Sequence, residues 1–303
     1  MAIGDVYEAT LCGCTDLYYV DTGTYDVEEY GSVWILDSET PALVDTGLGT
    51  NYQLILDALD DVGIAPEDLE VIAPTHVHLD HAGGAGYLVE ECPNADVFVH
   101  ERGAPHLADP ERLWEGTKRA VGDQIKYYVE PKPVPEERIQ TLQDGDIVDL
   151  GDHALRAHHA PGHAPHQVVY FDPANDVVFT ADATGIYTPS TDVVHPTSPP
   201  PNFDADRCLD DVEMIRDLDP SVLAYGHFGP AETADRLGEY ERVLASWVQA
   251  VAEKREAFED QDDVVEYFVE DADGADVWGR EKAEAEARLN VRGVLRYLDQ
   301  KTK

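Results

Sequence analysis

The chain has 303 residues, 43% of them hydrophobic, and its 62 acidic side chains outnumber 21 basic ones to give a formal net charge of −41. This length suffices for one large domain or two smaller ones, and the apolar content excludes an intrinsically disordered chain. The apolar runs are too short to cross a bilayer, and residues 1–5 lack the basic start of a signal peptide, so we expect a cytoplasmic protein.

The first hundred residues alternate predicted strands with predicted helices. β-rich runs on either side of a turn-forming segment predict a hairpin, and apolar residues at helical spacing predict the helix that follows it. In chain order the predicted elements are strands at 32–36 and 42–44, a helix from Tyr52 that ends near Gly63, a strand at 71–73, a helix from about 84 to 91 and a strand at 97–99.

The rest of the chain repeats this alternation, which predicts an α/β fold. Residues 110–137 form an apparent insertion that ends in a proline-rich run, and two apolar stripes predict long C-terminal helices. We predict that residues 231–303 pack as helices on the domain formed by residues 1–230. The later predicted elements are strands at 154–158, 168–171, 177–179 and 222–225, a helix at 208–218, and the stripes from Tyr240 to Val251 and from Ala287 to Leu298.

The strongest chemical signal is the segment THVHLDHAGG, which follows the apolar run at 71–73. Residues two apart in an extended segment point to the same side, so His76 and His78 should face one site. Asp80 and His81 then turn the chain, and two glycines permit a tight entry into a helix. Imidazole and carboxylate ligands together suit zinc, and also iron or manganese, so this loop predicts a metal site.

One loop cannot complete two coordination spheres, so further ligands should lie downstream at the ends of strands. His163 in APGH, Asp182 in FTAD and His227 in AYGHFG each follow an apolar run and stand next to a small residue. Any one of them, taken alone, is more often a polar loop residue than a ligand.

Together with Asp45 in LVDTG, these motifs resemble in order and spacing the motif series of the metallo-β-lactamase superfamily, over residues 30 to 230. Within the superfamily the chain is most similar to glyoxalase II-like and lactonase-like hydrolases, and to archaeal members with the stretch PGHAPH, here residues 161–166. His166 is a departure, because many relatives have glycine there. The resemblance implies an αββα sandwich with a C-terminal helical extension.

The resemblance also implies how the ligands divide between two divalent metal ions, with zinc favoured over iron or manganese. His76, His78 and His163 would hold one ion, Asp80, His81 and His227 the other, and Asp182 would bridge both. Asp45 would fix the ligand loop through hydrogen bonds. A hydroxide between the ions would attack a carbonyl ester, thioester or lactone. Asp80 would shuttle a proton, and Tyr187 would contact the substrate carbonyl, although ordinary packing is an alternative for that tyrosine.

Other functions remain open at this point. A mononuclear-iron persulfide dioxygenase would keep a similar motif, and some relatives are phosphodiesterases or nucleases. The sequence has no basic stripe for nucleic acid, so a small-molecule substrate is expected, with neither nucleic acid nor membrane as a partner; assembly into a homo-oligomer is left open. Glyoxalase II-type enzymes bind glutathione through basic residues in a C-terminal helical region, and the resemblance makes Lys254 and Arg255 candidates for that role, without a matching motif position.

The acidic residues are spread along the chain and are not gathered in one tail. The composition resembles that of proteins from extreme halophiles, which tolerate molar salt through acidic, lysine-poor surfaces. Since salt screens the repulsion between such charges, the sequence predicts a protein that is stabilised by salt.

Overall fold

The computed structural model of the protein describes residues 2–302, which form two β-sheets, a separate strand pair and ten α-helices. The strands are β1 Val6–Glu8, β2 Leu17–Asp21, β3 Ser32–Leu36, β4 Ala42–Val44, β5 Val71–Ala73, β6 Asp96–His100, β7 Ile139–Leu142, β8 Ile147–Asp149, β9 Ala154–His159, β10 Val168–Asp172, β11 Val177–Ala181, β12 Ile186–Thr188, β13 Val193–His195, β14 Val222–Tyr225 and β15 Gly229–Glu232. The helices are α1 Tyr52–Val62, α2 Leu79–Ala82, α3 Ala85–Glu91, α4 Ala104–Ala108, α5 Glu111–Val121, α6 Ala205–Leu218, α7 Arg236–Ala257, α8 Gln261–Glu270, α9 Ala275–Trp278 and α10 Arg280–Lys301.

The two sheets lie face to face and come from successive halves of the chain. The first has the order β1-β2-β3-β4-β5-β6-β7, and the second has the order β15-β14-β11-β10-β9-β8. Trp34 and Val44 from the first sheet share one apolar core with Tyr170 and Phe179 from the second. The rings of Trp34 and Phe179 meet edge to face across it, with centroids 5.8 Å apart, so the strands alternate their apolar residues between two buried faces.

Helices cover the outer face of each sheet, which confirms the predicted αββα sandwich. Ile55 and Leu59 of α1 and Leu88 of α3 pack on the outer side of the first sheet. The outer side of the second sheet is covered by α6 and the C-terminal helices, through residues that include Val212 and Leu244.

The C-terminal helices bury the two apolar stripes seen in the sequence. Leu244 and Val251 of α7 and Val291 and Val294 of α10 belong to the same core as Val169 of the second sheet. No helix among residues 2–302 is long and apolar enough to cross a membrane. The division of the chain at residue 230 stays a prediction.

The predicted strands and helices up to residue 100 agree with the structure to within a few residues, and β3 and β4 form the predicted antiparallel hairpin. Seven strands were not predicted: β1, β2, β7, β8, β12, β13 and β15. Most of them are edge strands of three or four residues, such as Gly229–Glu232 with the sequence GPAE. Since one long side of an edge strand faces solvent, its sequence lacks the apolar run by which a central strand is recognised.

Candidate metal centre

Seven imidazole and carboxylate side chains converge at one end of the two sheets. Each follows the end of a strand: the segment after β5 supplies four of them, and the segments after β9, β11 and β14 supply one each. They are the seven residues predicted from the sequence, His76, His78, Asp80, His81, His163, Asp182 and His227.

The loop after β5 carries its four side chains as two pairs, one in a non-helical segment and one in a short helix. His76 and His78 lie in the non-helical segment, with ring centroids 4.6 Å apart. The four-residue helix α2 then carries Asp80 and His81. Gly83 follows directly, and a Cβ there would lie 2.3 Å from the carbonyl oxygen of Leu79 and 2.6 Å from that of Leu48. The tight turn that brings the two pairs together therefore requires glycine.

The second sheet delivers His163 through a turn that is anchored to α6. The Gly162 N–H donates a 2.7 Å hydrogen bond to the carboxylate of Asp211. A Cβ at Gly162 would approach the backbone nitrogen of Cys208 to 2.4 Å, so the turn packs directly on the helix backbone. Burial of Asp211 raises the pKa of its carboxyl to about 7.

Asp182 follows a break in the regular pairing of β11. The register between β11 and β14 shifts between Phe179 and Ala181, and Ala181 adopts a φ of 50°. The break redirects the chain at the strand end, where the Asp182 carboxylate lies among the imidazoles with 4% of its side chain exposed.

The segment that carries His227 is tied to the first sheet. Trp34 Nε1 donates to the carbonyl oxygen of Tyr225 at 2.9 Å, and the hydroxyl of Ser32 donates to the same oxygen at 2.7 Å. The backbone N–H of Ser32 donates to the carbonyl oxygen of Gly226. The end of β14 is therefore fixed against β3 immediately before the ligand.

The ligand atoms form two groups that meet at one carboxylate. In the first group, His163 Nε2 lies 3.0 Å from His78 Nδ1 and 2.9 Å from Asp182 Oδ2, and His76 Nε2 lies 3.8 Å from the same oxygen. Oδ2 of Asp182 thus faces this group of three imidazoles.

The other oxygen of Asp182 faces the second group. His81 Nε2 and His227 Nε2 lie 3.1 Å apart, and they lie 3.4 Å and 3.2 Å from Asp182 Oδ1. Asp80 completes this group, with Oδ2 3.7 Å from His227 Nε2. The two oxygens of the Asp182 carboxylate therefore face two separate groups of candidate metal ligands.

These distances fit divalent cations held in tetrahedral surroundings. Zinc–nitrogen bonds of about 2.0–2.1 Å place tetrahedral ligand atoms about 3.3 Å apart, within the range found in both groups. His76 Nε2 and Asp182 Oδ1 are also buried without a hydrogen-bond partner among residues 2–302. Because buried polar atoms nearly always have partners, lone pairs directed at a common point indicate a site for a cation.

Two of the imidazoles have a hydrogen-bond acceptor at Nδ1, the ring nitrogen that points away from the cluster. Asp45 Oδ2 lies 2.8 Å from His81 Nδ1, while its Oδ1 accepts 2.8 Å hydrogen bonds from the backbone N–H and the hydroxyl of Thr75. His227 Nδ1 lies 2.7 Å from the carbonyl oxygen of Tyr30. An acceptor behind one ring nitrogen leaves the lone pair on the other nitrogen, which is the form that binds a metal.

Burial favours neutral imidazoles at His76 and His78, whereas nearby carboxylates raise the pKa of His81 and of His227. Burial, together with the neighbouring histidines, places the pKa of His76 well below its ordinary value and that of His78 at about 3. Burial alone would raise the pKa of Asp182, but the surrounding His163, His227 and His81 hold it well below the ordinary value. Neutral imidazole and ionised carboxylate are the states that metal binding requires.

The structure does not bring Tyr187 to this site. Its hydroxyl donates a 3.0 Å hydrogen bond to Asp192, its ring packs on Tyr225, and the guanidinium of Arg236 lies 4.8 Å from the ring centroid. It lines a separate surface depression together with Arg236 and Glu239. The short sequence distance from Asp182 suggested proximity, but β12 turns the side chain away.

A cavity of about 80 Å³ opens over the ligands, and both the inserted segment and the C-terminal helix form its walls. Tyr128 and Val121 come from the segment 110–137, and Glu286 and Leu289 come from α10. The sequence did not decide whether these regions shape the cavity. The complete lining is Tyr25, Tyr30, His78, Leu79, Asp80, Thr117, Ala120, Val121, Tyr128, His163, Asp182, Thr197, Pro199, Pro200, His227, Glu286 and Leu289.

The wall formed by α10 contains a buried charge network that sequence reasoning missed. Glu286 accepts hydrogen bonds from Lys282 at 2.6 Å, from the Tyr30 hydroxyl at 2.8 Å and from Asn290 at 3.0 Å. The ammonium of Lys282 also lies 3.8 Å and 3.9 Å from the ring centroids of Tyr25 and Tyr30. The signal was present, because Lys282, Glu286 and Asn290 recur every four residues and so share one helix face.

Comparison with known proteins decides the family. The sequence profile of the family described as "Metallo-beta-lactamase superfamily" matches residues 27–227, about two thirds of the chain. The chain belongs to this superfamily. The match contains all seven candidate ligands, so family membership and the His/Asp cluster together support metal-dependent hydrolysis as the general class of reaction.

Relatives within the superfamily share the fold at low sequence identity. The metallo-beta-lactamase fold-containing protein ST1585 of Sulfurisphaera tokodaii is 26% identical over 225 residues, covering 71% of this chain and 79% of the relative. The solved structure of ST1585 from Sulfolobus tokodaii superposes with a TM-score of 0.70 at 22% identity, over 93% of this chain and 99% of that one.

A second relative is the human protein named acyl-coenzyme A thioesterase MBLAC2. It is 27% identical over 187 residues, covering 55% of this chain and 62% of the relative. The chain therefore spans less than two thirds of the length of that protein.

Proposed function

We propose that this superfamily member is a dinuclear-metal hydrolase that cleaves the thioester bond of a small acyl group. The observation that carries the dinuclear part is the position of Asp182, whose Oδ2 faces His76 and His163 and whose Oδ1 faces His81 and His227. Seven ligands exceed the three that one catalytic zinc takes from a protein. Zinc is the favoured ion, since its usual donors are those present.

The choice of a thioester among carbonyl substrates rests on the relatives. Proteins named acyl-coenzyme A thioesterase match this chain at 26–27% identity. In the reaction, water adds to the carbonyl carbon, the carbon–sulfur bond breaks, and the products are a carboxylate, a thiol and one proton. The lining of the cavity contains neither serine nor cysteine among residues 2–302, which favours water as the nucleophile.

Two bound divalent cations would supply a hydroxide nucleophile at neutral pH and would polarise the carbonyl oxygen. Asp80 is the carboxylate best placed to carry the proton, because it lines the cavity and 20% of its side chain is exposed. Burial would raise the pKa of Asp80, but His81 and His227 hold it below the ordinary value, so the group is ionised and can accept a proton. It can then return this proton to the leaving thiolate.

A pair of tyrosines supplies a further hydrogen-bond donor. The hydroxyls of Tyr25 and Tyr128 lie 2.5 Å apart, and both residues line the cavity. One hydrogen bond joins two hydroxyl groups, and within residues 2–302 neither hydroxyl has a second partner, so one hydroxyl hydrogen stays available to a substrate. We assign to this pair the carbonyl contact that the sequence suggested for Tyr187.

The test combines metal analysis with a substrate panel in molar KCl. Purified protein should contain two equivalents of divalent metal, and among thioester, lactone, β-lactam and phosphodiester substrates it should hydrolyse thioesters with the highest kcat/KM. One equivalent of iron together with oxygen consumption on a persulfide would contradict the proposal and would support a dioxygenase. Lactone or phosphodiester preference would retain the metal site but overturn the thioester assignment.

A further inference from the structure

A second, larger groove adjoins the metal cavity on its helical side. It has a volume of about 370 Å³ and lies between α10 and the end of α5 with the 3₁₀ helix Gly122–Tyr127 that follows it. Ala120, Val121 and Leu289 line both the groove and the metal cavity. The two spaces therefore share part of their walls, so one extended ligand could occupy both.

The groove concentrates cationic side chains in a chain that has few of them. Arg119, Arg288 and Arg292 line it, although the whole sequence has only 21 basic residues against 62 acidic ones. Arg288 is paired with Glu266. Arg119 and Arg292 are different, because neither makes a direct ion pair or a hydrogen bond with any of residues 2–302. Each still has a glutamate nearby, because Arg119 lowers the pKa of Glu115 and Arg292 lowers the pKa of Glu266.

The acidic residues of the groove do not cancel these two charges. Glu281 is paired with Lys126 at 2.6 Å, and Glu284 is paired with Arg280 at 2.5 Å. Asp123 is the remaining acidic residue in the lining. Two unpaired guanidinium groups therefore face one unpaired carboxylate, on a molecule whose formal net charge is −41.

We propose that this groove binds the phosphate groups of the thiol carrier to which the acyl group of the substrate is attached. The proposal rests on the thioesterase function and names its substrate class, a short acyl thioester of a phosphorylated carrier. The acyl end would occupy the cavity of about 80 Å³ over the metal ligands, and the carrier would pass over Ala120, Val121 and Leu289 into the groove of about 370 Å³.

The chemistry of the lining fits a phosphate better than a neutral carrier. A guanidinium group presents a planar set of donors that matches two phosphate oxygens and stays charged at every relevant pH. The sequence-based candidates Lys254 and Arg255 are engaged elsewhere, on the ring of Tyr267 and with Asp299 respectively.

The proposal is tested with three thioesters of the same butyryl group, carried by coenzyme A, by glutathione and by N-acetylcysteamine. These carriers bear phosphates, carboxylates and no charge, respectively. The proteins compared are the wild type, Arg119→Ala, Arg292→Ala and the double variant. Arg242→Ala on α7 is the matched control, because Arg242 is likewise exposed, lies outside the groove and has no ion pair within the described residues.

We expect each groove substitution to lower kcat/KM for the coenzyme A thioester about 10–100-fold, the effect of losing a hydrogen bond to a charged group. The loss should appear in KM, while the N-acetylcysteamine thioester and the Arg242→Ala variant should behave like the wild type. Titration calorimetry with desulfo-coenzyme A, which lacks the thiol that would bind a metal, should show weakened binding by the same two variants.

Each contrary outcome has a separate meaning. If no thioester is hydrolysed, the proposed function fails. If all three thioesters are hydrolysed and the arginine substitutions change none of them, the function stands and the groove assignment is overturned. If the substitutions affect the glutathione thioester but not that of coenzyme A, the groove binds carboxylates and the phosphate assignment is wrong.

Discussion

The two sides of the cavity are built in different ways. On the sheet side, every ligand follows the end of a strand, and acceptors such as Asp45 and the Tyr30 carbonyl hold the imidazoles from behind. On the helical side, the segment 110–137 and α10 contribute side chains that range from the buried Glu286 to the exposed Arg292.

Under the proposed function, the sheet side would perform the chemistry and the helical side would select the substrate. Ligand positions on the sheet side depend on strand register and on buried hydrogen bonds, so a small change there should disturb the whole site. On the helical side, exposed residues such as Arg119 and Arg292 make no hydrogen bond to the candidate ligands, so their replacement should alter which substrate binds and leave those ligands in place. The buried Glu286 is different, because it accepts a hydrogen bond from Tyr30, whose carbonyl oxygen lies behind His227. The following predictions test this contrast.

The largest effect is expected from Asp182→Ala. A carboxylate with one oxygen facing each ligand group serves both ions, so its removal should abolish turnover and lower metal content at both positions. Elemental analysis and kcat measure the two consequences. A variant that retained two equivalents of metal and near-normal turnover would show that Asp182 does not bridge.

The second prediction concerns Asp45→Asn, which keeps an acceptor for Thr75 but removes the negative charge behind His81. Loss of such an outer partner costs about 10–100-fold in metal affinity or activity. The chain offers a matched control in Asp172→Asn, because Asp172 Oδ2 lies 2.8 Å from Nδ1 of the buried His153 outside the site. Equal losses in the two variants would mean that Asp45 acts only through general stability.

Salt should act on the surface and not on the buried ligands. The screening length falls from about 30 Å at 0.01 M salt to about 3 Å at 1 M, so the repulsion that opposes folding of a chain with charge −41 should weaken as KCl is added. Melting curves with saturating metal should therefore show a rising Tm. A Tm that is flat or falls between low and molar KCl would exclude the halophilic interpretation.

Asp211 should make stability depend on pH through the turn that carries His163. Its carboxyl has a pKa of about 7 in the folded protein against an ordinary value of 3.8, so between these values the unfolded chain loses the proton first. Stability therefore falls as pH rises across this window. Asp211→Asn removes this loss. The Tm of the variant minus that of the wild type should therefore be larger at pH 8 than at pH 5. An equal difference at both pH values would contradict the assignment.

The smallest effect is expected from Tyr187→Phe. The hydroxyl is bonded to the exposed Asp192, outside the metal cavity, so kcat/KM should stay close to that of the wild type, with a stability loss of about 1 kcal/mol. A decrease in kcat/KM of about 10²–10³-fold, typical of a lost oxyanion donor, would show that Tyr187 contributes to catalysis.

The sequence predicted which seven side chains converge, because its signals are local and periodic, while their binding of metal stays a prediction. Apolar runs such as 71–73 and 177–179 mark central strands, and the ligands follow directly after them. The family resemblance also implied that Asp45 holds the ligand loop through hydrogen bonds, and the structure shows which partners it has there, His81 and Thr75.

The helical side could not be predicted in the same way. Whether Tyr128 and Glu286 face one cavity depends on how α5 and α10 pack, and this contact joins residues more than 150 positions apart. Tyr187 illustrates the same limit, because closeness in sequence to Asp182 says nothing about the direction in which β12 leaves the site. The pairing of individual arginines is likewise set by tertiary packing and not by composition.

The distribution of ligands over the two sheets links cation uptake to the docking of the halves of the chain. Four candidate ligands follow β5 of one sheet and three follow β9, β11 and β14 of the other, and each of the two ligand groups takes members from both sheets. Binding free energy is then released only by the docked form, and a cation at 1,000 times its dissociation constant stabilises that form by about 4 kcal/mol. For a polyanion that repels itself in dilute electrolyte, bound cations would thus act as internal counterions that stabilise the contact between the two sheets.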